Sequence, residues 1–323
     1  GESNNSCNLK VNNLSHPDLH FAFPVATNDK IKRHAVSNLF LDDWRLFVKE
    51  QPYGNLFDWY KLLGVEKKQG QIGVDESLDV VKKLALKSYE GGYKIMIIWM
   101  AEKMHNAAAN KLLKLIEEPP NKTVFLLISE NEDLILNTIK SRCQVLHFPA
   151  LSEEAIINQL INTFNITETK ATKIAQQSDG NYKKAVDILN NDSENIQFEQ
   201  WFISWVRAAF RAKGNKSAIN DLIDWSETIA KTGRETQKQF LNYCLDFFRQ
   251  ALLQNYTATD LVFLETQTDN FSLAKFAPFV NGNNILDINN ELNDAIYHIE
   301  RNANAKIVLT DLSIKLTRLL HKK

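Results

Sequence analysis

Residues 94–148 read KIMIIWMAEKMHNAAANKLLKLIEEPPNKTVFLLISENEDLILNTIKSRCQVLHF, and this stretch decides the fold. Lys94–Met100 is an unbroken apolar run of strand length with Ile95, Ile97 and Ile98 in it, the pattern of a strand covered on both faces. Asn106 is placed to cap a helix, in which Ala109, Leu112, Leu113 and Ile116 fall at i, i+3, i+4 and i+7. Pro119-Pro120 stops that helix, because proline lacks an N–H and biases its predecessor away from helical geometry. A second apolar run, Val124–Ser129, a short helix over Asp133–Lys140 and a third strand over Gln144–Phe148 follow. Strand, helix, strand, helix, strand with short joints predicts a parallel sheet wrapped by helices.

Working outward on the N-terminal side, Gly70–Val74 reads as a short extended piece and Asp75 as the cap of a helix reaching about Tyr89. Leu78, Val81, Leu84, Ala85 and Ser88 are its expected inner face, and Gly91-Gly92 ends it. Residues 37–64 are rich in aromatics: Phe40, Trp44, Phe47, Tyr53, Phe57, Trp59 and Tyr60. Stacking on single-stranded nucleic acid uses such rings, but it also needs a cationic track. Asp42, Asp43, Glu50 and Asp58 stand among the lysines and arginines here, so a helical pair packed on the sheet is the expectation.

On the C-terminal side, residues 150–192 read as three short helices. Ser152 and Thr167 cap the first two, Gly180 closes the second, and Tyr182, Ala185, Ile188 and Leu189 lie on the third. Residues 191–195, Asn-Asp-Ser-Glu-Asn, form a polar hinge. Beyond it the pattern is helical throughout, over about 197–213, 216–231, 234–254, 258–265, 271–280, 285–301 and 304–320. Phe198, Trp201, Phe202, Trp205 and Ala209 form one core stripe, and Leu241, Cys244, Leu245, Phe248 and Leu252 another. Arg207, Arg211, Lys213 and Lys216 are a local basic cluster whose simplest reading is a solvated face.

The composition is that of a globular protein of two or three domains: 323 residues, 44% hydrophobic and 24% charged. A formal net charge of −1 predicts no strong nonspecific attraction to DNA or to anionic membranes. No apolar run approaches spanning length, so no membrane association is expected. Three scattered cysteines, Cys7, Cys143 and Cys244, make no disulfide framework and suit a reduced, cytoplasmic setting.

The phrase AAANKLLKLIEEPP, followed by a strand and then Ser141-Arg142-Cys143, resembles the core of the bacterial DNA polymerase III clamp-loader subunits, members of the AAA+ family. The resemblance is specific over 94–148 and looser over 14–25, 150–189 and 285–320. It implies an AAA+-like α/β base domain over 1–149, a helical lid over 150–192 and an all-α collar domain over 193–323. The family contains subunits that hydrolyse ATP and a delta-prime type that does not. Hydrolysing members end the strand at 94–100 with an Asp-Glu pair, one to hold Mg²⁺ and one to activate water. Trp99 and Met100 stand there in this chain, and neither an indole nor a thioether does either task. Glu102 lies two residues further on and is a poor substitute. No Gly-Lys-Ser or Gly-Lys-Thr occurs. The family places that loop upstream of the sequence matching Ser15–Val25, so N-terminal residues are expected to be missing.

By the same resemblance, Arg142 reaches in trans to the ATP of a neighbouring subunit, a task suited to a permanently charged planar fork. Ser141 is expected to orient the loop through backbone groups, and Cys143 to be a small packed residue. The family's nucleotide-sensing arginine is replaced by Lys183 in GNYKKA. Leu309, Leu312, Leu316 and Leu319 are the expected collar stripe for oligomerisation. Glu117-Glu118 oppose the dipole of their helix, so either a local contact offsets this or the pair is a solvated end; Lys111 and Lys114 read as wet face.

The phrase SHPDLHFAFPV resembles the family's sequence after a four-cysteine zinc module, yet Cys7 alone stands upstream of it. One thiolate makes no structural tetrahedral site, so either the other ligands belong to missing N-terminal residues, with Cys7 a remnant and zinc held only by the intact protein, or this chain has no zinc. His16, Asp18 and His20 alternate, which allows a metal reading or a polar strand edge; the latter is the expectation. The implied function is that of a non-catalytic clamp-loader subunit, with no cofactor of its own. Its implied partners are the ATPase and delta-type subunits, the sliding clamp and primer–template DNA. Two alternatives are a hydrolysing gamma-type subunit cut before its phosphate loop, and a free-standing helical nucleic-acid-binding module.

Overall fold

The computed structural model describes residues 5–190, 193–215, 217–264, 266, 268 and 271–322. The chain divides into two compact units, Gly1–Phe148 and Pro149–Lys323.

The first unit runs α1 (Asn5–Asn12), β1 (Leu19–Ala22), α2 (Leu41–Glu50), α3 (Leu56–Leu63), α4 (Val74–Ala85), β2 (Lys94–Trp99), α5 (Asn106–Glu117), β3 (Thr123–Ile128) and α6 (Asn137–Lys140). The three strands form a parallel sheet in the order β1-β2-β3, with Leu19 opposite Ile95 and Lys94 opposite Thr123. Side chains alternate across β2, so Met96 and Ile98 enter a core formed with α4 and α5, while Ile97 and Trp99 face the aromatic helices α2 and α3. The sequence expectation of a strand covered on both faces is met at β2. At β3 only one face is covered among the described residues: Phe125 and Leu127 pack inward, whereas Val124, Leu126 and Ile128 are exposed.

Local chemistry explains the helix limits. Asn55 caps α3 by accepting from the N–H groups of Phe57 and Asp58, and Asp58 returns a bond to the Asn55 N–H. His105, rather than Asn106, caps α5 through its ring nitrogen. At the other end of α4, the buried Lys94 ammonium donates to the carbonyls of Leu84 and Leu86, where a cation suits the dipole.

Three sequence expectations in this unit are corrected. Gln144–Phe148 is not a strand. Both edges of β2 are taken by β1 and β3, the segment pairs with neither, and Phe148 is 90% exposed. Asp133–Lys140 is a single turn, Glu132–Leu134, followed by the short α6. The helix expected to reach Tyr89 stops at Ala85, and its inner face is Glu76, Ser77, Val80 and Leu84, leaving Leu78 and Val81 exposed. An apolar tally misplaces that face because a glutamate occupies one inner position.

The aromatic segment is core, as expected. Phe40, Trp44, Phe47, Trp59 and Tyr60 are buried with Phe21, Phe23 and Met100. Trp44 stacks on Phe23 with ring centroids 4.3 Å apart and meets Trp59 edge-on at 5.4 Å.

The second unit contains α7 (Glu153–Phe164), α8 (Glu168–Ser178), α9 (Tyr182–Leu189), α10 (Ser193–Ala212), α11 (Ser217–Ala230), α12 (Arg234–Asn255), α13 (Leu273–Phe276), α14 (Ile285–Glu300) and α15 (Ala305–Leu319). Helices α7–α9 enclose a small core around Ile156, Leu160, Ile174 and Tyr182. Gly180 has φ of 77°, and a Cβ there would stand 2.6 Å from the Ala150 Cβ, so the turn between α8 and α9 demands glycine. Helices α10–α15 enclose a larger core centred on Phe202, Trp205, Phe240, Phe247 and Leu309. The helix expected over 258–265 is reduced to the turn Thr259–Leu261 among the described residues. Of the expected hinge, Asn191 and Asp192 lie outside the described residues, and Ser193 already opens α10. No helix among the described residues is long and apolar enough to cross a membrane.

Candidate functional site

The carboxyl edge of a parallel sheet is where α/β folds place their ligands. In this chain that edge begins at Trp99 and Met100. The Trp99 ring lies 5.2 Å from Trp44 and 5.9 Å from Phe47, so the strand tip is roofed by the rings of α2. Met100 is buried in the same cluster and turns the chain with φ of 54°. Glu102 and Glu130 follow β2 and β3. The Glu130 N–H donates to a Glu102 oxygen at 3.3 Å, and burial, then the Glu102 charge, push the Glu130 carboxyl above its usual range. One Glu102 oxygen thus accepts from backbone, while the other is buried without a hydrogen-bond partner among the described residues.

Arg142 follows α6, whose last residues carry it beside the end of α5. Its Nε and a terminal nitrogen both approach Glu117 Oε2 at 3.0 Å, and the other terminal nitrogen donates to the Thr138 carbonyl at 2.9 Å. The side chain keeps 32% of its surface in solvent. Ser141 donates its hydroxyl to the Thr138 carbonyl. Cys143 packs partly buried against the α4–α5 core, and burial pushes its thiol up, which suits a packing residue and not a nucleophile. The compensation that Glu117 needs at its helix end is the Arg142 guanidinium. The sequence leaves that pairing open, because the partners are 25 residues apart with a strand between them.

At the opposite end of the sheet, Cys7, His16 and Glu90 bring one donor atom each within 4.8 Å of one another. The arrangement does not fit zinc. His16 Nδ1 accepts the Asp18 N–H at 3.1 Å, which leaves the proton on Nε2; that nitrogen lies 3.4 Å from Glu90 and is buried without a hydrogen-bond partner among the described residues. Metal-bound histidine needs the reverse, a bare ligating nitrogen and a donating partner nitrogen. Lys10 also claims Glu90, and burial followed by the Glu90 charge raises the Cys7 thiol away from thiolate. Asp18 is structural: buried, it accepts the N–H groups of Tyr89 and Glu90.

In the second unit Lys183 pairs with Asp187 one turn along α9. Leu309, Leu312 and Leu316 are buried against the unit's own helices, with Leu319 packed partly buried beside them. This corrects the expectation that they offer an oligomerisation stripe: α11 and α14 already cover that face, and Ile307 and Ile314 are the exposed apolar residues of α15. Of the basic cluster, Arg211 pairs with Asp221 and Arg207 lies over the Phe271 ring, while Lys216 is outside the described residues.

The first unit is therefore an AAA+-like α/β domain whose central strand ends among aromatic rings, followed in sequence by a helical C-terminal region. The model of the family described as "DNA polymerase III, delta subunit" matches residues 1–152. A DNA polymerase III subunit delta' of Yersinia pestis is 40% identical over 109 residues, 34% of this chain and 32% of that one. The subunit delta' of Escherichia coli is 29% identical over 134 residues, 42% of this chain and 40% of that one. A DNA polymerase III subunit tau of Bacillus subtilis is 32% identical over 196 residues, 56% of this chain and 35% of that one. The chain spans a third to two fifths of the length of these relatives. Over residues 1–152 the chain is thus similar to the delta-prime subunits of bacterial DNA polymerase III.

Proposed function

We propose that this chain is the non-hydrolysing, delta-prime-type subunit of a DNA polymerase III clamp loader, a cytoplasmic assembly. It takes a place beside ATP-hydrolysing and delta-type subunits and offers Arg142 to a neighbour's ATP while the sliding clamp is loaded at primer–template DNA. The observation that carries this reading is the strand tip. Trp99 and Met100 are locked into an aromatic cluster, so neither position offers a carboxylate to grip Mg²⁺ or prime water. Arg142, by contrast, lies on a loop with its charge part-exposed, and a guanidinium suits phosphoryl oxygens whose charge grows in the transition state. The small core of α7–α9 is read as the lid and α10–α15 as the collar, with the boundary near residue 192. Lys183, held by Asp187, is read as a sensor position relieved of its task.

The test is reconstitution of the full-length protein with its ATPase subunits. Arg142→Ala is expected to leave assembly intact and to lower DNA-stimulated ATP turnover several-fold or more. Undiminished turnover removes the trans role of Arg142. Hydrolysis by the purified subunit alone removes the non-catalytic reading.

A further inference from the structure

We propose that Glu117 is a positioning residue for Arg142, an inference that rests on the trans role given to that arginine. A carboxylate closing a helix opposes the macrodipole, so Glu117 on its own is misplaced at the end of α5. Its Oε2 accepts the Nε–H of Arg142 and lies 3.0 Å from one terminal nitrogen on the same edge of the guanidinium. The Thr138 carbonyl receives an N–H from the other terminal nitrogen. The plane of the group is thereby fixed from two sides, by α5 and by α6.

A guanidinium has five N–H donors. Two are hydrogen-bonded here, and the second terminal nitrogen lies within ion-pair distance of the same carboxylate oxygen, which leaves donors over for a further acceptor. An exposed ion pair of this kind adds little to stability. Its effect is directional: a long side chain that otherwise samples many rotamers is held in one before any phosphate arrives, which removes an ordering cost from the transition state. Because the contact orients a group that acts on the transition state, its loss belongs in kcat rather than in KM.

The experiment measures kcat and KM for DNA-stimulated ATP hydrolysis by the reconstituted assembly. It uses Glu117→Ala, Glu117→Gln, Arg142→Ala and the double variant Glu117→Ala/Arg142→Ala. Glu117→Ala is expected to lower kcat roughly three- to tenfold with KM unchanged, a modest share of what orientation can contribute. Glu117→Gln recovers most of the loss, since the amide oxygen still accepts from the same edge. In the Arg142→Ala background Glu117→Ala has no further effect. Melting of each variant at the parent temperature separates orientation from folding. Parent or higher kcat in Glu117→Ala, or an equal loss in the Arg142→Ala background, overturns the positioning role and leaves the trans arginine standing. Parent turnover in Arg142→Ala overturns both.

Discussion

At Met100 the argument about chemistry becomes one about packing. The side chain is 3% exposed and sits among Trp44, Phe47 and Trp59. Restoring an acid by Met100→Glu places an unpaired carboxylate among rings, a cost on the order of several kcal/mol. The expected result is a strongly lowered melting temperature and no gain of ATP hydrolysis; a stable variant that turns over ATP contradicts the account. The substitution at 99–100 is legible in the sequence because it is a local swap of residue type in a recognisable stretch. The partner of Arg142 is not. Glu117 sits before a double proline and reads only as an uncompensated helix end, and the fold alone brings α5 and α6 together. The His16 tautomer is equally hidden, since it depends on where the Asp18 N–H points.

Among the elements, α4 shows what a pattern of apolar residues misses. Its third residue, Glu76, is 1% exposed, and its carboxylate accepts the Ser37 N–H while the second oxygen is buried without a partner among the described residues. Burial raises its pKa from 4.5 to about 7, against the lowering effects of the Ser37 hydrogen bonds and Lys83, with Asp79 adding to the rise. The folded state therefore holds this proton more tightly than the unfolded chain. The contribution is fully favourable below about pH 4.5 and is lost as pH rises toward 7, amounting to roughly 3 kcal/mol. Glu76→Gln is expected to raise the melting temperature of the full chain at pH 8 and to leave it nearly unchanged at pH 5. Equal shifts at both pH values disprove the linkage. The strands divide in a similar way. Apolar runs mark β2 and β3 correctly, but Gln144–Phe148 fails as a strand because a strand exists only where a neighbour pairs with it, and no short-range pattern encodes the neighbour.

On the scale of the whole molecule, two units with separate cores assign different meanings to residues that look alike in sequence. Leu309 is fully buried in the helical unit, whereas Ile307, two residues earlier on α15, is 68% exposed. Leu309→Ala is expected to cost about 2–5 kcal/mol in unfolding free energy, and Ile307→Ala to stay within about 0.5 kcal/mol. Chemical denaturation measures both, and a silent Leu309→Ala removes that leucine from the core. The helical spacing of apolar residues along α15 is readable; which neighbours bury them is not, since α14 precedes it directly while α11 comes from a distant segment. The six tryptophans fall three to each unit: Trp44, Trp59 and Trp99 in the first, Trp201, Trp205 and Trp225 in the second. Trp205 and Trp225 lie parallel, 4.8 Å apart and tilted by 6°. Two indoles that close share their excited states, so the helical unit carries a built-in chromophore pair whose coupled circular dichroism vanishes when α10 and α11 part. The first unit carries a set of its own, Trp44 lying 5.4 Å from Trp59 and 5.2 Å from Trp99, so each core holds indoles close enough to report its loss without an added label.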